Sequence, residues 1–160
     1  MKKIIIAVIF IIIVYIYCYF IYPPYTSVVQ TTLNDFDFNM LLNRQPLVVS
    51  DKVKDVRVLL KSWFSPNIIQ DIDFDNRRFW NINFHKYLFC YATEDVEILL
   101  YAAGNNVVDD VADDREPVLA ILLKKSQCLI IPYRWYYHVK NNIKLYGIHD
   151  YVTYIIDNIV

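Results

Sequence analysis

From residue 4 to residue 22 the chain runs for 19 positions without a charge, and nine of these are Ile, two Val and two Phe. At about 1.5 Å per residue the run makes about 28 Å of helix, close to the ~30 Å hydrocarbon core of a bilayer. Taking roughly −0.3 to −0.6 kcal/mol for each Ile, Val or Phe, insertion is favoured by about 4–8 kcal/mol before the tyrosines are counted. The pattern predicts a membrane-spanning helix, with Ile4 at its start, Ile13 near its middle and Tyr22 at its end. Tyr15, Tyr17, Tyr19 and Tyr22 crowd its second half, where amphipathic rings settle at headgroup depth, and Pro23-Pro24 ends it. Lys2 and Lys3 are the only charges before it, which places residues 1–3 in the cytosol and the rest of the chain across the membrane. A cleaved signal would need a shorter apolar run and small residues at a cleavage site, whereas bulky aromatic residues follow here.

Beyond the anchor the pattern changes. Residues 23–43 form a lead-in, within which 34–42 reads as a short helix or an irregular approach. Pro46-Leu47-Val48-Val49 reads as a brief buried strand opening on a proline. Val53, Val56, Leu59, Leu60, Trp63 and Phe64 then recur at helical spacing behind Ser50 or Asp51 as cap and ahead of Pro66, which predicts one amphipathic helix. After it come short runs rich in Ile, Val, Tyr, Phe and Trp at 68–74, 79–84, 88–92, 96–101, 118–123, 128–131 and 135–139, separated by polar or turn-forming residues. Seven such strands predict a mainly β domain over 44–160, a sandwich or barrel. Residues 146–160 read as a last strand, or as a strand followed by a short helix over 150–158.

Charge and composition narrow the functions. Two of the 16 basic residues precede the anchor and all 17 acidic residues follow it, so the rest of the chain carries 14 basic against 17 acidic residues, a net charge of −3. A nucleic-acid platform needs a basic excess to collect phosphates, so no nucleic-acid partner is expected. Cys90 and Cys128 are the only cysteines beyond the anchor, and each sits in an apolar run; they are expected as small buried hydrophobes, with a disulfide as the alternative if the two runs are neighbouring strands. Asp109, Asp110, Asp113, Asp114 and Glu116 crowd one short stretch without the alternating ligands or central Gly of a calcium loop, and read as a solvated hairpin tip. His149 stands beside Asp150, but no Ser or Cys carries a nucleophile motif. Two Gly in 160 residues, with abundant Ile, Asn, Tyr, Lys and Asp, is the usage of an AT-rich genome, as in many large DNA viruses.

The most specific pattern is at 124–139, where a polar turn leads into an apolar strand, then Ile131-Pro132, an aromatic cluster, and Trp135-Tyr136-Tyr137-His138-Val139. It resembles the distal half of the cupin-like barrels of the Jumonji class, with Pro132, Trp135 and His138 as the shared signature. Residues 44–49 resemble the strand that opens such domains, and 51–64 the helix that follows. The resemblance implies a double-stranded β-helix, or jelly roll, and the whole chain is similar to short, N-terminally anchored cupin-like proteins of large DNA viruses. In the enzymes of that class iron is held by a His-x-Asp or His-x-Glu pair and a later histidine. The resemblance maps these to His85 and His138, but the carboxylate position is Tyr87. Strand alternation would set Tyr87 beside His85, on the same barrel interior as His138. The expectation is therefore that His85 and His138 are structural residues and that no metal or cofactor is bound. The chain would be a non-catalytic, membrane-anchored structural or interaction component of a virion, joining the lipid bilayer of its inner membrane to other structural or capsid proteins. The alternative is a membrane-bound oxygenase using Fe(II) and 2-oxoglutarate through an altered site. A ligand-binding, lectin-like jelly roll is a third reading, without a specific residue set.

Overall fold

The computed structural model describes residues 2–20, 27–73, 79–102, 119–139, 143–151 and 153–155. The acidic stretch from Asp109 to Glu116, Pro23-Pro24 and Tyr22 lie outside these residues.

Helix α1 occupies Lys2–Phe20. Its described side chains run unbroken only from Ile5 to Val14, about 15 Å of helix, and among the described residues no helix is long and apolar enough to cross a membrane. Within that stretch Ile5, Ile6, Val8 and every residue from Ile9 to Val14 are exposed. Successive helical residues turn by about 100°, so no side of this stretch packs on the β domain.

The domain is mainly β, with ten strands in two sheets among the described residues. The strands are β1 (Val29–Thr31), β2 (Leu47–Val49), β3 (Ile68–Ile72), β4 (Asn81–Ile82), β5 (Tyr87–Ala92), β6 (Val96–Ala102), β7 (Leu119–Leu123), β8 (Cys128–Pro132), β9 (Trp135–Val139) and β10 (Ile143–His149). One sheet has the order β1-β2-β8-β5-β10-β3 and the other β4-β9-β6-β7. Within β3 to β10 the antiparallel pairs are nested: β3 with β10, β4 with β9, β5 with β8 and β6 with β7. The eight strands are thus one long hairpin rolled over on itself, and the pairs β5·β10 and β6·β9 join its turns into sheets.

Two cores result. Between the sheets lie Leu88, Cys90, Ile98, Leu100, Leu129, Ile131, Trp135, Tyr137 and Leu145. On the outer face of the six-stranded sheet, Phe89, Cys128, Ile130, Tyr146 and Ile148 meet Leu60 and Phe64 of helix α2 (Val56–Phe64) and Leu41 of a 3-10 helix at Phe38–Leu41. Strands β5 and β8, and β10 from Leu145 onward, are buried on both faces. Phe36 stacks on Trp63 at 3.8 Å, which fixes the lead-in against α2.

The helix begins later than its pattern suggested. Its cap is Asp55, whose Oδ1 accepts from the N–H groups of Arg57 and Val58, because Asp51 is already committed to the Leu33 N–H at 2.7 Å and the Val53 N–H to the Ser126 carbonyl. Strand β1 was not foreseen; it is three residues long, and it pairs parallel with β2. The last strand spans Ile143–His149 and gives way to a helical turn.

Strands β5 and β8 are indeed neighbours, with Tyr91 opposite Cys128 and Cys90 opposite Leu129. That offset puts Cys90 in the inner core and Cys128 in the outer one, both as free thiols. Burial pushes both thiols above their ordinary range, which leaves little thiolate to react. The folded protein is expected to shield Cys90 and Cys128 from a soluble thiol reagent. In denaturant without reductant, all three cysteines of the chain should titrate as free. A pair that appears only after reduction would contradict this facing.

Candidate functional site

The chemistry-bearing side chains of the domain gather at one end of the sandwich, where β4, β8 and β10 finish and β5 and β9 begin. Asn83, 1% exposed, is the hub. Its Nδ2 donates to the carbonyls of Ile131 and Pro132, both at 2.9 Å, and its backbone N–H donates to Trp135 O at 2.9 Å. Its own carbonyl accepts from Arg134 N at 2.7 Å. These bonds close the Tyr133-Arg134 connection between β8 and β9, where Arg134 holds a left-handed φ of 63° that a non-Gly residue adopts at a cost. Asn83 Oδ1 also accepts from the His85 N–H at 2.9 Å, which turns the chain out of β4 and aims the next side chain.

That side chain, His85, lies over Gly147 of β10. A Cβ at Gly147 would sit 2.9 Å from the imidazole, so glycine is needed there for space. His85 Nδ1 faces His149 Nε2 at 2.6 Å, with the rings perpendicular at 89°. One ring must donate and the other accept, so the contact requires at least one neutral histidine. Burial, and then the His149 charge, lowers the His85 pKa to about 4. The Tyr154 ring meets His149 edge-on. Beside the pair, Lys86 Nζ bonds Asp150 Oδ2 at 2.6 Å, with both side chains about four-fifths buried. Asp150 and Thr153 cap the terminal turn reciprocally: Thr153 N donates to Asp150 Oδ1 at 2.8 Å, and Asp150 N to Thr153 Oγ1 at 3.0 Å. Burial, then Asp150, pushes Tyr87 up to about 12.

His138 is elsewhere. Trp135, Tyr137 and Val139 point into the inner core, so His138 projects from the outer face of the four-stranded sheet. There it stacks on Phe79 at 3.9 Å, and its Nδ1 donates to the Phe79 carbonyl at 2.7 Å. The expectation that His85 and His138 share one interior is corrected: His138 is on the outer face of the four-stranded sheet, whereas His85 lies in the turn before β5, over Gly147 of the six-stranded sheet. Tyr87 is not beside His85 either. His85 precedes β5 in a turn set by Asn83, so strand alternation does not reach it, and Tyr87 packs in the outer core against Phe64. The set His85, Tyr87 and His138 therefore does not fit an iron centre. Among the described residues, no group of three His, Cys, Asp or Glu side chains is placed to hold a metal. Pro132 ends β8 opposite Tyr87, and Trp135, fully buried, donates from Nε1 to the Arg44 carbonyl at 3.2 Å. His149 was seen in the sequence only beside Asp150. Pairing 143–149 with the strand that opens at Tyr87 is the signal that brings it to His85. No protein family, curated protein or solved structure matches the chain.

Two outcomes follow. Asn83→Ala leaves the carbonyls of Ile131 and Pro132 and the His85 N–H without their partner. It should cost roughly 2–4 kcal/mol in denaturant titration. Unfolded His85 binds its proton near the ordinary 6.5 and folded His85 only near 4. Between those values the unfolded chain holds more protons, so stability should fall as pH drops through that window. His85→Gln should flatten that part of the profile. The Asp95 carboxylate, held low by the Lys125 N–H and Lys124, loses its contribution at lower pH and should be unaffected by this change.

Proposed function

We propose that this chain is a non-catalytic, membrane-anchored structural or interaction protein, with α1 as the anchor and a cupin-like jelly roll as the displayed domain. The observation that carries the reading is α1 itself. Ile5 to Val14 offer exposed apolar side chains to every direction, which water penalises and a bilayer accepts. The sequence continues without a charge to residue 22. Lys2 and Lys3 support a cytosolic N-terminus. The nested strand order β3·β10, β4·β9, β5·β8, β6·β7 supports the jelly roll. An inert domain is supported by what its reactive groups are doing: Cys90 and Cys128 are buried, His138 is engaged by Phe79, and His85 is held neutral against His149. The net charge of −3 beyond the anchor supports protein and lipid partners over nucleic acid. Residue usage and the resemblance to anchored viral cupin-like proteins support a virion setting, in which the domain would join an inner membrane to shell proteins.

The full chain is expected to stay with membranes through alkaline carbonate extraction and to retain residues 1–22 in its mature form. Release by carbonate, or a mature N-terminus beyond residue 20, would refute the anchor. The purified chain given ferrous iron and 2-oxoglutarate in air should release no succinate. Release abolished by His85→Ala would refute the scaffold reading.

A further inference from the structure

The two ends of the sandwich expose different chemistry. At one end, the β5–β6 and β7–β8 connections and the approach to α2 carry charge. Asp95 takes Lys124 Nζ at 3.2 Å and the Lys125 N–H at 2.8 Å, and Lys52 lies near enough to act on the same carboxylate. At the other end, Phe84, Tyr151, Tyr154 and Ile155 are exposed, by 55% and 62% for the first two, and so are Phe38 and Leu42. Phe38 is linked to the terminal turn through the outer core: it packs on Phe64, Phe64 on Tyr87, and Tyr87 adjoins the Lys86–Asp150 pair that opens that turn. Of the charges at that end, Lys86 and Asp150 neutralise each other and Arg44 is buried, while Arg134 is half-buried and Asp37 and Lys61 stay exposed at the rim, where headgroups carry charge.

The chain from α1 enters at the apolar end. Strand β1 starts there, and Ser27 just before it is bonded by Gln45, next to Arg44 and its Tyr133 contact. Phe20, the last residue of α1, lies seven positions before Ser27, a reach of at most about 25 Å. A bilayer holding α1 is thus within that distance of the apolar end.

We propose that this end is seated on the same bilayer that holds α1, with Phe84, Tyr151, Tyr154 and Ile155 in its interfacial zone and the Asp95–Lys124 end turned away. The inference rests on the anchor reading of α1 and adds a second attachment to it. Tyrosine rings suit that zone, because their bodies are apolar and their hydroxyls stay among the headgroups.

The test uses the full chain, with Cys18→Ser, reconstituted at one copy per phosphatidylcholine nanodisc. Variants with one added cysteine, Ile9→Cys, Phe84→Cys, Tyr154→Cys and Lys52→Cys, carry a fluorophore there, and circular dichroism checks that each is folded. Cys90 and Cys128 are buried and stay unlabelled. A nitroxide at the lipid headgroup should darken the labels at 84 and 154, a mid-chain nitroxide the label at 9, and neither the label at 52. Quenching at 9 with full brightness at 84 and 154 overturns the seat while leaving the anchor. No quenching at 9 overturns the anchor and the seat with it. Shielding at 84 and 154 that appears only when several chains share a vesicle, without quenching, assigns the surface to a second copy and overturns the proposal.

Discussion

In β5 and β8 every second residue serves one core and the residues between serve the other, so neither strand has a face to spare. In a one-sided strand a slip of one position is forbidden because it turns apolar residues to water. Here both faces are apolar, and a slip would only exchange shapes, such as Phe89 for Leu88. The hydrophobic pattern therefore specifies register weakly, and the task falls to the strand ends. Pro132 has no N–H to offer beyond the end of β8. Asn83 binds two successive carbonyls at that end, and Gly147 is the one place on β10 where the His85 ring can lie on the backbone. These three residues hold the register on which both cores depend.

That division explains what could be read from the sequence. Strand β9 at Trp135–Val139 and the runs at β5, β6, β7 and β8 were legible from their β-branched and aromatic residues. So was an amphipathic helix ending at Phe64, although its cap was misplaced because several acidic residues compete just upstream. The two-sheet arrangement was legible only as a class. Nested pairing joins residues such as Ile68 and His149, which no local pattern links. The histidines show the same limit. His138 carries the resemblance most clearly, yet it lies one position out of phase with the inward residues Tyr137 and Val139. His85 was placed on a strand, but the Asn83 side chain diverts the chain before β5 starts. For His138 one residue of phase separated the expected site from the observed one, and for His85 a turn made by a side chain did; composition encodes neither.

The nested pairing also sets a timetable. Strand β3 is the first of the roll to leave a ribosome and its partner β10 the last, while β10 is also the strand that sits between β3 and β5. Until β10 is made, the six-stranded sheet therefore lacks the link between β5 and β3, although β1, β2, β8 and β5 can already pair. Loop-closure entropy makes such long-range pairing slow as well as late. Throughout that interval β3 has no neighbouring strand and one edge of β5 is open, and a chain ended before Ile143 would keep them so. The stretch most exposed to quality control is thus the nascent roll, with its final seven-residue strand as the element that releases it.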